Sequence, residues 1–421
     1  MSLKNNKLDI LGELQKRNLI NILGNILDQL SPHCLRLLQF TCSLYREIVK
    51  DDPRSVRRLE LSRRWLYGQP TVLPICQRPG YMVTALAAHP GDSIIFGLLG
   101  DNATVNMYKK DTLKLTARLE QSREFPASIP ALVYNDQVVV TCVYESLVQG
   151  GLNHVLYIWR REDNSLASTF SPHSQLIRTV KLANNFILTA SNDGTIVVTD
   201  LTNPSQPTLK HTLTGHKDYV SGLDNDASRV VSVSVDNIMK VTSVSVDNIM
   251  KVWSIPSFKC VFSVNTETPT LKVSMSWPLA VTGGKTTLVL WNLELQFKIR
   301  ELNMESLGSL SVVCMTYSAD AGTSIGSRYK KTSSSSSCQQ QHAGQQTKRR
   351  NPGNVYIVSG DNHGKISIWD TSRIIAGHSG VDPHRQFQIG PTASMISSLA
   401  VDEYSIITGD WAGQVLVWKF V

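Results

Sequence analysis

The sequence has 421 residues and a formal net charge of +8, from 42 basic and 34 acidic side chains. The positive excess lies in residues 1–67, with 12 basic against 7 acidic side chains, and in residues 319–353, with 6 against 1, so the remainder is close to neutral. This distribution argues against nucleic-acid binding, because such binding needs a basic surface on the folded domain.

The seven cysteines form no CxxC pair, so common zinc and dithiol redox motifs are excluded, and no metal or cofactor is predicted. The first ten residues, MSLKNNKLDI, lack the apolar core of a signal peptide. No run approaches the ~18 apolar residues that a membrane helix needs. The sequence therefore predicts a protein of a reducing compartment, the cytoplasm or the nucleus, with no membrane partner.

After a tail of residues 1–17, residues 18–66 predict a small helical domain. Apolar side chains recur there at helical spacing, at Ile22, Leu23, Ile26, Leu27 and Leu30. The pair Ser31-Pro32 favours a helix start, with serine as the N-cap and proline as the first helical residue. Three short helices make a poor core on their own, so the segment is expected to dock onto a partner.

The run LSPHCLRLLQFTCSLY, which begins at Leu30, resembles the F-box, a helical motif that binds the Skp adaptor of SCF-type cullin ubiquitin ligases. Two positions depart from the family pattern: Asn18-Leu19 stands where the family has leucine-proline, and Tyr45 replaces a tryptophan. The resemblance implies that the adaptor is contacted by Ile22, Leu23, Ile26, Leu27, Leu30, Pro32 and Leu35. The alternative is an amphipathic helical segment that only braces the rest of the protein.

A short strand, usually ending in an aromatic residue, recurs through residues 68–421. Its seven copies end at Tyr108, Trp159, Thr199, Trp253, Trp291, Trp369 and Trp418. When two insertions are left out of the count, most of the distances in sequence between successive endpoints approach the ~40–45 residues of a four-stranded propeller blade. The sequence therefore predicts a mostly β fold, a seven-bladed β-propeller preceded by the helical domain. The last blade is expected to take its outer strand from Thr71–Cys76.

The repeats resemble WD repeats, whose blades are held by a relay of side-chain hydrogen bonds. Blade four carries the full set, Gly215-His216, Ser243, Asp247 and Trp253, and blade seven keeps Gly377-His378, Thr408 and Trp418. The other blades lack the Gly-His pair. The resemblance implies a WD-repeat β-propeller in which His216 has a structural role.

Two insertions interrupt the repeats. Residues 232–241 (SVSVDNIMKV) recur letter for letter at residues 243–252. Because an odd insertion reverses the faces of a continuous strand, one copy is expected to loop out or form an extra ribbon, and the two copies can compete for the same slot. Residues 319–353 are rich in serine and glutamine and are predicted to be a disordered low-complexity insertion.

The sequence contains no convincing catalytic motif. Gly283-Gly284-Lys285-Thr286 lacks the first glycine of a phosphate loop and precedes a strand. A non-catalytic, protein-binding role is therefore predicted. In WD propellers that recruit partners, the second residue of each innermost strand and the residue near the end of the next strand line the top rim around the channel. The residues expected to bind a target there are Arg178, Asn192, Ser221, Lys272, Asn362 and Trp411.

Together, the two resemblances imply a substrate-recognition subunit of an SCF-type ubiquitin ligase. Residues 18–66 would bind the Skp adaptor and thereby the cullin scaffold, and the propeller would hold an unknown target protein for ubiquitination and degradation. The alternative prediction is a WD-repeat scaffold outside ubiquitin ligases, with a degenerate F-box.

Overall fold

The computed structural model describes residues 20–28, 30, 32–41, 43–88, 93–99, 104–120, 127–146, 152–234, 248–303, 310–315, 355–377, 382–388, 394–402 and 404–420. The chain divides into two compact units, Met1–Ser62 with Ser318–Asn354 and Arg63–Tyr317 with Val355–Val421. The predicted tail, residues 1–17, and the predicted low-complexity insertion, residues 319–353, lie outside the described residues.

Four helices begin the described chain: α1 (Ile20–Asp28), α2 (Pro32–Thr41), α3 (Ser43–Asp51) and α4 (Pro53–Tyr67). The start of α4 follows from its sequence, because proline fits the first helical position and the Asp52 carboxylate accepts the Ser55 N–H at 2.8 Å. The described residues of these helices up to Ser62 are called the helical unit below.

The helical unit has a small apolar core of its own. Its buried members come from three helices and are Leu23, Leu27, Leu35, Ile48 and Val49. The buried Arg58 guanidinium donates to the carbonyls of Leu27 and Asp28, at 3.2 and 3.4 Å. These carbonyls lie at the end of α1 and have no partner within the helix, so the arginine takes the place of solvent there.

The second unit is a propeller of seven antiparallel four-stranded sheets. After β1 (Pro70–Gln77), the first four blades are β2 (Met82–Ala88), β3 (Ser93–Leu99), β4 (Val105–Lys109), β5 (Lys114–Leu119); β6 (Ala127–Tyr134), β7 (Val138–Ser146), β8 (Leu152–Arg160), β9 (Leu166–Phe170); β10 (Ile177–Ala183), β11 (Phe186–Ser191), β12 (Ile196–Asp200), β13 (Thr208–Leu213); and β14 (Val220–Asn225), β15 (Arg229–Ser234), β16 (Ile249–Ser254), β17 (Cys260–Asn265).

The last three blades are β18 (Lys272–Ser276), β19 (Leu279–Gly283), β20 (Thr287–Asn292), β21 (Phe297–Asn303); β22 (Leu310–Met315), β23 (Tyr356–Asp361), β24 (Lys365–Asp370), then helix α5 (Thr371–Ile375) and β25 (Arg385–Gln388); and β26 (Ile396–Val401), β27 (Ser405–Asp410), β28 (Gln414–Phe420), with β1 as the fourth strand. In each blade the strands are lettered a to d from the channel outwards. The seven a strands contact one another in cyclic order, so the blades close into a wheel.

The predicted seven-bladed fold is confirmed, and each of the seven strand endpoints, from Tyr108 to Trp418, lies in strand c of a different blade. Strand β1 pairs antiparallel with β28, from Pro70 opposite Phe420 to Gln77 opposite Gln414. The register shifts beside Pro74, which an outermost strand tolerates because proline has no N–H to donate. The predicted closure of blade seven is therefore confirmed.

The apolar core of the propeller lies between neighbouring blades. At the joint between the first and last blades, Phe96 packs with Ile407 and Val417. Gly409 is required at this joint, because a Cβ atom there would lie 2.4 Å from Cγ1 of Val83. The missing side chain thus lets β27 approach β2 closely enough for the wheel to close.

The segment that leads into β1 is held by aromatic stacking. Trp65 stacks on Phe420 and on Tyr356, with ring centroids 4.9 and 5.7 Å apart. Arg385 also donates to the carbonyl of Gly68. All of these residues belong to the propeller unit, so its first strand is anchored at both its start and its pairing edge.

Candidate protein-binding site at the channel rim

The turns between strands b and c bring three predicted site residues to one edge of the wheel. Asn192, Asn362 and Trp411 each follow the last residue of strand b in their blades. The Asn192 N–H donates to the Leu176 carbonyl at 2.9 Å, and the Trp411 N–H donates to the Met395 carbonyl at 3.0 Å, just before strand a begins. This edge is called the rim. Asn362 is exposed there, and Trp411 is 50% exposed.

A β-bulge near the start of strand a sets the direction of two further predicted residues. The pairing of strands a and b skips Arg178 in blade three and Ser221 in blade four. A bulge leaves the extra residue outside the ladder and re-aims its side chain. In blade five the pairing is continuous from Lys272 opposite Gly283, so Lys272 is a ladder residue and not a bulge residue.

Arg178 is held at the rim by two neighbours. Its Nε donates to Oδ1 of Asn192 at 2.7 Å, and its guanidinium carbon lies 5.4 Å from the centroid of the Tyr219 ring. The face of an aromatic ring attracts a cation. Burial raises the pKa of Tyr219, so its hydroxyl is neutral at physiological pH. The exposed guanidinium is therefore fixed in orientation and can bind an anionic group.

Two lysines add positive charge to the inner strands of blades three and five. The Lys181 Nζ lies 2.8 Å from Oδ1 of Asp224, whose other oxygen accepts the Met275 N–H at 2.7 Å. Lys272 forms no ion pair with a carboxylate of the described residues. Although the Lys272 side chain is accessible to solvent, desolvation by the surrounding protein atoms, and then the charges of Arg178 and Lys181, lower its pKa. The inner wall of these blades is thus positively charged.

The Ser221 hydroxyl forms its hydrogen bonds within the propeller. Its hydroxyl donates to the Val233 carbonyl of its own blade at 3.2 Å and lies 2.8 Å from the Thr270 carbonyl, which precedes blade five. The side chain of Asn192 is likewise engaged by Arg178. Ser221 and Asn192 therefore use their side chains in hydrogen bonds within the propeller. The other predicted rim residues, Arg178, Lys272, Asn362 and Trp411, are exposed.

Blade two forms a wall beside Arg178 that sequence reasoning missed. Strands β7 and β8 pair as far as Ser146 opposite Leu152. In this long hairpin the Tyr144 hydroxyl donates to the Ile177 carbonyl at 2.5 Å, and burial raises the pKa of Tyr144. Tyr144 and Tyr219 lie at neither of the two positions used to predict rim residues. The only sequence signal for Tyr219 was its place directly before strand a.

The hydrogen-bond relay of blade four uses a different serine from the one expected. His216 Nε2 lies 2.8 Å from Oγ of Ser232, and Trp253 Nε1 donates to the same oxygen at 2.9 Å. The prediction of Ser243 was therefore wrong, because the first copy of the duplicated segment, and not the second, supplies strand b. Ser243 and Asp247 lie outside the described residues. The structural role of His216 is consistent with these contacts.

Blade three contains a second histidine relay. His173 Nδ1 lies 2.9 Å from Oδ2 of Asp193, and its Nε2 lies 2.8 Å from Oγ1 of Thr189. Burial lowers the pKa of His173. The relay was missed because proline, not glycine, precedes this histidine. His173, which is buried, and His216, which is half-buried, both hold strands together within their blades and belong to the scaffold.

The predicted adaptor contacts divide into buried and accessible residues. Leu23, Leu27 and Leu35 pack in the core of the helical unit, and Pro32 is also buried. Ile26 and Leu30 are half-buried, and Ile22 is 47% exposed. Two apolar residues of α2 that the sequence did not single out, Leu37 and Phe40, are 54% and 80% exposed. Ile22, Leu37 and Phe40 are thus among the exposed apolar side chains of the helical unit.

Two kinds of feature are absent from the described part of the chain. Within it, no group of three or more histidine, cysteine, aspartate or glutamate side chains is placed to hold a metal ion. None of the helices in the same residues has both the length and the apolar character needed to cross a membrane.

Comparison with known proteins identifies one repeat. The family model described as WD domain, G-beta repeat, matches residues 207–254, which run from strand d of blade three to strand c of blade four. No F-box family model matches the chain. A comparison with curated proteins gave no match. The chain is therefore a seven-bladed β-propeller that contains a WD40 repeat, a fold that serves as a protein-interaction scaffold.

Proposed function

We propose that this protein is a non-catalytic substrate-recognition subunit of an SCF-type cullin ubiquitin ligase. The helical unit would bind the Skp adaptor, and the rim of the propeller would bind a target protein. The observation that carries the proposal is the exposure of Phe40 and Leu37 on α2, the helix that contains most of the F-box-like run. Large apolar side chains at such exposure favour a protein partner.

The mechanism would be proximity and not chemistry. The adaptor and cullin would tether the target close to a ubiquitin-conjugating enzyme, which raises the effective concentration of the target's lysines near the activated ubiquitin. The propeller would contribute rigidity, because its blades fix the rim residues relative to one another. No residue of this chain would form or break a covalent bond.

The target would present an anionic group, a carboxylate or a phosphate, to the rim. Arg178 supports this proposal because Asn192 and Tyr219 already fix its guanidinium. Lys272 adds an ammonium without a carboxylate partner among the described residues. Trp411, across the wheel in blade seven, would supply apolar contact area, and tryptophan is enriched in binding hot spots.

Binding of the purified Skp adaptor to the full chain tests the ligase proposal. Phe40→Asp and Leu37→Asp are expected to abolish binding without changing the melting temperature, because both side chains are exposed. Leu209→Asp is the matched control, since Leu209 is 60% exposed on an outer strand of the propeller. Binding that survives both α2 substitutions would reject the α2 surface, and a wild-type chain that binds no adaptor would reject the ligase function.

The second candidate is a scaffold outside ubiquitin ligases. It is favoured by the burial of Leu23, Leu27 and Leu35 within the helical unit, which leaves few of the F-box-like residues for an adaptor. The departures at Asn18-Leu19 and Tyr45 point the same way. In this case the adaptor would not bind, whereas Arg178→Glu and Trp411→Ala would still change the proteins labelled near the propeller.

A further inference from the structure

Three basic side chains meet strand β14, the strand of blade four nearest the channel. The guanidinium carbon of Arg178 lies 5.4 Å from the centroid of the Tyr219 ring, directly before β14 begins. The Lys181 Nζ lies 2.8 Å from Oδ1 of Asp224, near the end of β14. Both cations come from strand β10 of blade three. Lys272 comes from the other side, at the start of β18 in blade five.

A glycine brings Lys272 close to β14. Gly222 is buried, and a Cβ atom at this position would lie 3.4 Å from Cα of Lys272 and 3.2 Å from the backbone N of Val273. The absence of a side chain at Gly222 lets β18 pack this closely. Along β14, position 222 lies between the residues that Arg178 and Lys181 contact. Lys272 therefore meets β14 between the contact points of the two cations from blade three.

The carboxylate of Asp224 is engaged by groups other than Lys272. Its Oδ1 lies 2.8 Å from the Lys181 Nζ, and its Oδ2 accepts the Met275 N–H at 2.7 Å and the Ser274 hydroxyl at 3.2 Å. Lys272 forms no ion pair with a carboxylate of the described residues. Within that part of the chain, the positive charge of Lys272 is thus uncompensated.

Lys272 combines access from solvent with an amine that loses its proton easily. Its side chain is exposed. Desolvation by the surrounding protein atoms, and then the charges of Arg178 and Lys181, lower its pKa. A lysine that is desolvated and lies beside another cation is more often unprotonated, and the unprotonated amine is a nucleophile. Lys272 is therefore more reactive towards electrophiles than an ordinary surface lysine.

Arg178 favours one class of electrophile over others. Its guanidinium is exposed and is held in orientation by Asn192 and the Tyr219 ring. A guanidinium binds a phosphate group through two parallel hydrogen bonds, and a cleft with charges of one sign concentrates ligands of the opposite sign. An acyl phosphate carries a phosphate group for Arg178 and, next to it, a reactive carbonyl carbon for Lys272.

We propose that Lys272 is a modification site for acyl phosphates, whose phosphate group Arg178 binds. The neutral amine attacks the carbonyl carbon, so that an N–C bond forms and the C–O bond to the phosphate breaks. The amine proton leaves with the inorganic phosphate. The amide product is uncharged, so acylation removes one positive charge from the rim. The reaction is independent of the ligase function, whereas any effect on target binding rests on the proposed binding of an anionic group.

Acetylation of the purified full chain by acetyl phosphate at neutral pH tests the proposal. Peptide mass spectrometry measures the rate at each lysine, and Lys114, exposed on the outer strand of blade one, is the internal control. Lys272 should be acetylated at least about tenfold faster than Lys114. Added inorganic phosphate should slow the reaction at Lys272 and leave that at Lys114 unchanged. A rate at Lys272 no higher than that at Lys114 would overturn the proposal.

Arg178→Gln tests the role of the guanidinium, with the neutral donor N-acetylimidazole as the matched reagent. The ratio of the two acetylation rates at Lys272 cancels any change in the protonation of the amine. This ratio, acetyl phosphate over N-acetylimidazole, should fall at least about fivefold in Arg178→Gln and stay constant at Lys114. An unchanged ratio at Lys272 would overturn phosphate binding by Arg178. Neither the adaptor nor the target takes part, so the outcome is separate from that of the ligase test.

Discussion

The Nε atom of Arg178 donates to Oδ1 of Asn192 at 2.7 Å, which links the bulge of strand a to the b–c turn of blade three. The bond joins two rim positions that are 14 residues apart in the chain. It fixes the guanidinium over the Tyr219 ring before any partner arrives. Such preorganisation reduces the side-chain entropy that binding would otherwise cost.

Arg178→Glu is expected to weaken target binding by about 10- to 100-fold, because a charge-assisted hydrogen bond contributes ~1.5–3 kcal/mol and the new carboxylate repels an anionic group. Asn192→Ala, which only frees the guanidinium, is expected to weaken binding about fivefold. Proximity labelling identifies the partner. Titration of that partner with the purified proteins then measures the ratio of each variant's dissociation constant to that of the wild type.

Lys114→Glu is the control for this series, because it makes the same charge change at an exposed position on the outer strand of blade one. If Lys114→Glu and Arg178→Glu lose equal affinity for the target, the overall charge of the propeller explains the effect. If Asn192→Ala weakens target binding as much as Arg178→Glu does, Asn192 itself contacts the target.

Blade five depends on a buried indole hydrogen bond. Trp291 Nε1 donates to Oγ1 of Thr282 at 2.9 Å, and both side chains are buried. Thr282→Val preserves the shape but leaves the indole N–H without an acceptor, so the free energy of unfolding should fall by about 1–3 kcal/mol. Denaturant unfolding measures the change. Thr212→Val, at an exposed position of β13, should have no such effect.

Stability should decrease in mild acid because of His216. Burial, followed by the charge of Lys251, lowers the pKa of His216 from 6.5 to about 4. The unfolded chain therefore binds a proton below pH ~6.5 that the folded chain does not bind until pH ~4. The stabilisation is complete above this window and is lost as the pH falls through it, with a total on the order of 3 kcal/mol.

Melting curves between about pH 7.5 and pH 4.5 test this expectation. His216→Gln should melt at a temperature that depends less on pH than the wild type does across the window. His211→Gln removes an exposed histidine of the preceding strand and should keep the wild-type dependence. The same pH dependence in all three proteins would contradict the assignment to His216.

The joint between the first and last blades should respond to a single methyl group. Gly409→Ala puts a Cβ atom 2.4 Å from Cγ1 of Val83, so the free energy of unfolding should fall by about 1–3 kcal/mol. Val83→Ala removes Cγ1 and Cγ2 and leaves only the Val83 Cβ, 2.9 Å from the added atom, so the double variant should recover part of the lost stability. If the double variant loses the sum of the unfolding free energies lost by the two single variants, the side chains at positions 83 and 409 do not pack against each other.

The architecture could be predicted from the sequence because the propeller repeats itself. One strand per blade carries a similar apolar run, from Tyr108 to Trp418, and its spacing gave the number of blades. Closure by β1 could also be predicted, since Thr71–Cys76 is an apolar run outside the repeats and Pro74 suits an edge. These features are periodic or local, and both kinds are visible in one sequence.

The details that were missed depend on contacts between distant residues. Ser232 and Ser243 stand in identical sequence, so the sequence does not specify which of them meets His216. Tyr219 was missed because its ring meets Arg178 from the neighbouring blade. The burial of Leu35 could not be distinguished from partner contact, because the same apolar spacing serves a helix core and a docking surface.

Light scattering during size-exclusion chromatography tests most directly the proposed binding of the Skp adaptor by this chain. The full chain mixed with the purified adaptor should elute as a single species with the summed mass of one copy of each. In Phe40→Asp, the same mixture should separate into its two components. Separate elution of the wild-type chain and the adaptor at micromolar concentration would contradict the proposed binding.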